Sequence, residues 1–289
     1  MLGQSATHEE KIMEVRRLGP IGAEITDVDV KTMDDATWRR IYQTWLDCNV
    51  IAVRGQELAI NDYLVYSKRF GVVLPHPSKS TRHPEVPEIT LLGINKFKPD
   101  GTLDKDIYAR GGEGFHTDGS YEEVPFKATQ LYALAVPSKG GDTFFSSAYA
   151  AYEAIPQRLR DRLEGVYGLF VYGGRRKANL LLNEEDRDAK PVRHRLIKVH
   201  PETGRKLLYF DQNKIVKIEG MPEEEGEAII AELTAFMQNP PAQYRHKWQK
   251  GDIVIWDNRC SYHKAAADYP PEEDRIHWRV SIKEYAVAG

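Results

Sequence analysis

Apolar positions along this chain fall mostly in short runs broken by glycine, proline and charged clusters, the pattern of brief strands joined by turns. Residues 12–18 (IMEVRRL) predict a first strand, Gly19-Pro20 a turn, and residues 21–28 (IGAEITDV) the partner strand. Helical spacing follows. Trp38, Ile41, Tyr42 and Trp45 come after Asp34, Asp35 and Thr37, which predicts a helix to about residue 47. Residues 49–53 read as a buried strand, and residues 60–70 as an amphipathic helix stopped by Gly71.

Residues 75–87, with four prolines and two histidines, read as a loop, and residues 88–93 as strand-like. Residues 95–114 and 173–190 are polar and lack periodicity, so both predict long loops, the usual form of a lid. Strands are expected at 129–136, 143–146 and 165–172. Ser147 predicts the cap of a helix from Ala148, and Pro156 opens another to about residue 163. Pro201-Glu202-Thr203-Gly204 predicts a hairpin between residues 192–199 and 206–210. Gln249-Lys250-Gly251-Asp252 predicts a second, between 244–248 and 253–256. Residues 222–237 read as a helix with Pro222 and glutamates at its start, and residues 275–285 as a final strand.

Many short strands with a few helices predict an α+β fold, with a β-sandwich or jelly-roll core and helices packed outside it. No repeat, low-complexity tract or composition break divides the 289 residues, so one domain spanning 1–289 is expected, with residues 1–10 as a frayed tail. Hydrophobic residues at 41% and charged residues at 29% suit a chain that buries a large core. A net charge of -3 gives no reason to expect a nucleic-acid partner. Two cysteines, Cys48 and Cys260, make no disulfide framework and point to a reducing compartment. The N-terminal residues lack the apolar run of a signal peptide, and no stretch approaches the ~20 apolar residues of a membrane span. The expected location is the cytoplasm, away from membranes.

Two stretches carry candidate chemistry. In Gly112-Glu113-Gly114-Phe115-His116-Thr117-Asp118-Gly119, extended backbone would point His116 and Asp118 to the same side. Far downstream, His263 follows Trp256-Asp257-Asn258-Arg259. Two imidazoles and a carboxylate can cover one face of an octahedral metal and leave the other open, as non-haem Fe(II) oxygenases require. A His-x-Asp pair is weak evidence alone, because nine histidines and 43 acids make chance pairs common; the competing reading is a turn capped by Asp118. Arg275, His277 and Arg279 alternate with Ile276, Trp278 and Val280. That strand is either an edge strand with a solvated basic face or an anion site beside the metal. His194, His200 and His246 lie close to arginine or lysine and are expected on the surface.

Taken together, these residues resemble the taurine dioxygenase and 2,4-dichlorophenoxyacetate dioxygenase family of Fe(II)- and 2-oxoglutarate-dependent oxygenases. The resemblance runs from about Gly22 to Arg279. It includes Val53-Arg54-Gly55-Gln56, Phe70-Gly71, Gly140-Gly141-Asp142-Thr143, His200-Pro201 with Gly204-Arg205, and the segment from His263 to Arg279. It implies a double-stranded β-helix core. His116, Asp118 and His263 are then the iron ligands, Arg275 pairs with the distal carboxylate of 2-oxoglutarate, and Thr143 hydrogen-bonds this cosubstrate. Arg279 and His76 would line the primary-substrate pocket.

The departures are local. Gly112 stands where the taurine enzyme has an asparagine, and Phe115 where it has Trp. Lys79 and Lys214 replace pocket aromatics and would add charge for an anionic substrate, and the 270–274 segment is one residue longer. The implied reaction hydroxylates a small organic anion (a sulfonate, aryloxyalkanoate or other carboxylate) with O₂, releasing succinate and CO₂. If the new hydroxyl falls beside a sulfonate or ether oxygen, the product fragments. A homo-oligomer of two or four chains is the family's common form. A desaturase or epimerase would share every motif. A zinc hydrolase or a non-catalytic anion-binding β-sandwich would share only part of them.

Overall fold

The computed structural model describes residues 13–75, 82–93, 114–174 and 190–285. In chain order the first elements are β1 (Glu14–Arg17), β2 (Ala23–Thr26), helix α1 (Asp35–Cys48), β3 (Val50–Val53), α2 (Ile60–Lys68), β4 (Val72–Leu74) and β5 (Thr90–Leu92). Then come β6 (Ala128–Ala135), β7 (Thr143–Ser147), α3 (Ala148–Ala154), α4 (Gln157–Leu163), β8 (Tyr167–Phe170), β9 (Val192–Arg195), β10 (Ile197–Val199), β11 (Lys206–Leu208) and β12 (Ile215–Ile218). The last are α5 (Glu223–Phe236), β13 (Gln243–His246), β14 (Ile253–Asp257), β15 (Ser261–Ala265) and β16 (Ile276–Lys283). No helix among these residues is long and apolar enough to cross a membrane.

An eight-stranded sheet forms the frame, in the order β1-β2-β3-β14-β6-β16-β4, with β5 also pairing β16. It is antiparallel except where β2 runs beside β3. Both faces are covered, which is why β3 (VIAV) and β14 (IVIWD) read as continuous apolar runs rather than alternating ones. Ile51, Val53, Ile253, Ile255, Val280 and Ile282 turn to the core shared with α1 and α2. Val50, Ala52, Leu131, Ala133, Val254 and Trp256 turn the other way, where they meet Phe145 and Trp248. Phe145 belongs to a second, three-stranded sheet, β13-β7-β15, so this inner core lies between two sheets. A third core packs α3, α4 and α5 with β8, β10, β11 and β12.

Most local expectations hold. Asp34 caps α1 by accepting from the Thr37 N–H at 2.7 Å, and Ile41, Trp45 and Cys48 form its buried stripe. The 251 hairpin is wrong. β13 pairs with β7 in the small sheet, whereas β14 pairs with β3 and β6 in the large one. Gly251 makes this crossing at φ +84°, donating to the Ala133 carbonyl and accepting from the Gln56 N–H. A turn held by other strands need not close the strands that flank it. The 192–199 run also splits at Leu196, with β9 on β8 and β10 on β11; only the latter pair is the predicted hairpin. Strands β4 and β12 have no counterpart among the strands expected from sequence.

One of the two readings of the final strand is excluded, and one surface expectation is overturned. The final strand is interior, with β6 on one side and β4 and β5 on the other, so Arg275, His277 and Arg279 do not form a solvated edge. His194, His200 and His246 are buried and hydrogen-bonded to the Glu122 carbonyl, Asp257 and Asp252 respectively. The partners that let an imidazole leave water are remote in sequence.

Candidate active site

The small sheet and the His-x-Asp turn meet through one backbone bridge. The His116 N–H donates to the His263 carbonyl at 3.1 Å, and the His263 N–H donates back at 2.8 Å. His263 lies mid-strand in β15, opposite Phe145 of β7, and its ring packs 4.6 Å from that of Trp256 across the inner core. Two glycines shape the turn. A Cβ on Gly114 would sit 2.3 Å from Gln212 Nε2, whose amide donates to the Phe115 carbonyl. Gly119 has φ +75° and lies against Phe126.

His116, Asp118 and His263 each offer one ligand atom, and the three atoms lie within 4.8 Å of one another. His116 Nδ1 lies 3.1 Å from the Gly114 carbonyl, which can only accept; Nδ1 therefore carries a hydrogen, and Nε2 is the nitrogen left to serve as a ligand atom. His263 Nε2 is 3.7 Å from Asp118 Oδ2. Burial, then the nearby His116, pushes His263 down to about 3, so this imidazole is neutral. Burial alone would raise Asp118, but Arg279, His263 and His116 outweigh it and hold the carboxyl well below the usual carboxylate range. Two imidazoles, one of them held neutral by its surroundings, and an ionised carboxylate fit the donor set of a divalent non-haem metal.

The Asp118 carboxylate is anchored from two sides. Thr129 Oγ1 is 2.7 Å from Oδ2, and Arg279 Nη2 is 3.0 Å from the same oxygen. Asn258 reaches the turn twice, its Oδ1 accepting from the Asp118 N–H at 3.4 Å and its carbonyl from Thr117 Oγ1 at 2.7 Å, and its Nδ2 donates to Thr129 Oγ1 of β6 at 2.9 Å. Thr129 escaped the sequence reading, and Asn258 entered it only as part of a motif. They lie 129 positions apart and meet because Trp256 pairs with Thr129 in the sheet.

Arg275, His277 and Arg279 all face the inner core. The register places Arg279 opposite Leu131 and His277 opposite Ala133, both on that face. Arg275 Nε donates to the Gly141 carbonyl at 2.7 Å, and its Nη2 approaches Thr143 Oγ1 at 3.3 Å. Trp248 Nε1 donates to the same hydroxyl at 3.1 Å. Both neighbours of Thr143 can only donate, which leaves its hydrogen for an anion. Trp248 was also missed from the sequence. His277 is fully buried with both ring nitrogens unpartnered, edge-on to Trp248.

Lys214 Nζ donates to the Tyr172 carbonyl at 2.6 Å and lies near the rings of Tyr121 and Tyr172, which pack on each other. Tyr121 follows Asp118 by three residues in the same turn segment, so this wall borders the site. His76, Lys79 and Gly112 lie outside the described residues.

A second cluster, His200, Asp257 and Cys260, also has metal-capable atoms close together. Its capacity is already used. His200 Nδ1 accepts from the Glu202 and Thr203 N–H groups, Asp257 takes both the His200 ring and Arg259, and Asn49 donates to the Cys260 sulfur. This network fastens the 200–204 turn to the end of β14.

A family model described as "Taurine catabolism dioxygenase TauD, TfdA family" matches residues 14–281. The (S)-phenoxypropionate/alpha-ketoglutarate-dioxygenase of Sphingobium herbicidovorans is 30% identical over 281 residues, covering 90% of this chain and 91% of the relative. The alpha-ketoglutarate-dependent 2,4-dichlorophenoxyacetate dioxygenase of Cupriavidus pinatubonensis is 29% identical, covering 84% and 88%. The crystal structure of a taurine dioxygenase from Burkholderia xenovorans superposes with a TM-score of 0.77 at 27% identity, covering 94% of this chain and 89% of that one.

Proposed function

As a member of the taurine catabolism dioxygenase TauD, TfdA family, this chain is a 2-oxoglutarate-dependent dioxygenase, and we propose that His116, Asp118 and His263 hold its Fe(II). The carrying observation is the convergence of those three side chains on the inner face that also bears Arg275 and Arg279. When bound, the iron supplies the oxidative chemistry that couples 2-oxoglutarate decarboxylation to substrate hydroxylation.

The protein's own contribution is orientation and charge. Arg275 and the free hydrogen of Thr143 take the distal carboxylate of 2-oxoglutarate, with Trp248 and the Gly141 carbonyl holding both in place. Arg279 offers a guanidinium beside the metal set to an anionic primary substrate. The two sheets enclosing the inner core support a double-stranded β-helix reading of the fold. Tyr121, Tyr172 and Lys214 give the wall by Arg279 an aromatic and cationic character. With relatives named for phenoxypropionate and 2,4-dichlorophenoxyacetate, that wall favours an aryloxyalkanoate over a sulfonate.

The test is anaerobic titration with Fe(II) and 2-oxoglutarate, followed by visible absorption, then succinate release across aryloxyalkanoates, sulfonates and other carboxylates. A weak charge-transfer band that His263→Ala removes supports the reading. Tight zinc binding with no band would move it to hydrolysis.

A further inference from the structure

We infer that His277 is a further binding residue for the cosubstrate, its ring N–H donating to the distal carboxylate of 2-oxoglutarate beside Arg275 and Thr143. This rests on the reading of those two residues as the 2-oxoglutarate site.

His277 is fully buried, and neither ring nitrogen has a hydrogen-bond partner. Such a group is costly in a core that an apolar side chain could fill. Across the sheet it faces Ala133 on β6 and Leu92 on β5, whose side chains offer no polar atom. Over it lies Trp248, ring to ring at 4.4 Å. The polar groups around Trp248 are engaged elsewhere. His246 Nδ1 lies 2.7 Å from the Tyr244 hydroxyl, and its Nε2 lies 3.2 Å from Asp252 Oδ2. Trp248 Nε1 donates to Thr143 Oγ1, and Arg275 Nε donates to the Gly141 carbonyl. Among the described residues none is left for His277, and an incoming ligand is what can satisfy it.

The neighbours set the class of that ligand. Arg275 and Arg279 flank His277 at two residues on either side and share its face. Trp248 joins His277 to the Arg275–Thr143 pair. Its ring packs on the imidazole, its N–H meets Thr143 Oγ1 at 3.1 Å, and Arg275 Nη2 lies 3.3 Å from the same oxygen. The ligand between these groups is an anion. Burial pushes His277 well below the ordinary imidazole value, and Arg275 and His246 add to it, so the ring is neutral and carries one N–H. That N–H serves the anion without a further buried charge. A carboxylate has about four lone-pair sites, enough for Arg275, Thr143 and the imidazole together. A 2-oxo acid that lacks the distal carboxylate leaves all three unpaired, so the site rejects it.

The test is anaerobic calorimetry on the Fe(II)-loaded enzyme with 2-oxoglutarate and with 2-oxovalerate, which carries a methyl in place of the distal carboxylate. His277→Met should weaken 2-oxoglutarate about tenfold and leave 2-oxovalerate within about twofold. His277→Gln keeps an N–H donor and should return 2-oxoglutarate to within about threefold of wild type. Unchanged 2-oxoglutarate affinity in His277→Met, the result for an imidazole that serves only a buried water, overturns the inference. Equal losses for both acids, the mark of a merely structural role, overturn it too. The wild-type enzyme gives a readout that needs no variant to fold. With ¹⁵N-labelled histidines and Zn(II) in place of iron, the ring N–H with cross-peaks to the Trp248 indole should move downfield on adding 2-oxoglutarate. No movement overturns the inference. Arg275→Met separates the two readings. If 2-oxoglutarate affinity survives that change, the reading of the site fails and the inference with it; if affinity falls there but holds in His277→Met, only the inference fails.

Discussion

Arg279 and Asp118 form an ion pair at 3.0 Å, so the cation proposed to hold the substrate rests on the carboxylate proposed to hold the metal. An incoming anion must share that guanidinium. Replacing Arg279 with Ala should raise KM for an anionic substrate by about 10–100-fold, the scale of a lost charged hydrogen bond of about 1.5–3 kcal/mol. Arg279→Lys should recover little, because an ammonium cannot span carboxylate and substrate as a planar fork does. Steady-state succinate release measures both.

Gly141 has φ +69°, and a Cβ there would stand 3.0 Å from Arg275 Cδ. Gly141→Ala should therefore displace the arginine that Gly141 itself anchors through its carbonyl. The expected result is a several-fold rise in KM for 2-oxoglutarate, with a stability loss of about 1 kcal/mol from the strained backbone. Calorimetric binding and urea unfolding separate the two effects.

His277 buries two ring nitrogens with no partner. Burying such groups carries a penalty of about 1–3 kcal/mol that an apolar side chain of similar size avoids. His277→Met should stabilise the fold by about 1 kcal/mol or more in urea unfolding. A loss of stability would mean that the imidazole has a partner in solution.

Acid should weaken the fold well before carboxylates titrate. Burial, with Lys198 adding to it, holds His194 at about 4, and burial also lowers His246 and His277. The unfolded chain accepts these protons near pH 6.5 while the folded chain refuses them. Stability is then full above about pH 6.5 and falls below it, by up to ~1.4 kcal/mol per pH unit for each such histidine. Urea midpoints at pH 7.5, 6.5 and 5.5 give the slope. Asp257 acts lower. Burial opposes its charge, but Arg259 and His200 hold it at about 2, so its contribution is lost only as pH falls below the ordinary aspartate value.

Local order was legible wherever it has a local cause. The Asp34 cap, the apolar stripe of α1 and the alternation in β16 follow from spacing along a few residues. The candidate metal set could be proposed from sequence because His116 and Asp118 sit two apart and because several separate motifs resemble one family; the fold brings its three ligand atoms within 4.8 Å of one another. Remote partners were not readable. Nothing in the sequence near Thr129 points to Asn258, and nothing near Trp248 points to Thr143.

The sequence by itself determined the residue types, their alternation and the elements they form. Only the tertiary structure decided which face of each element meets which partner. The basic side of β16 could have faced water; Trp248 of the inner core covers it at His277, and Asp118 and Thr143 receive its arginines. The turn at Gly251 could have closed a hairpin; the Ala133 and Gln56 backbone groups hold it as a crossing between sheets. The physical reason is the same in each case. A buried charge or backbone polar group must find its partner, and that partner is supplied by the fold rather than by the neighbouring residues.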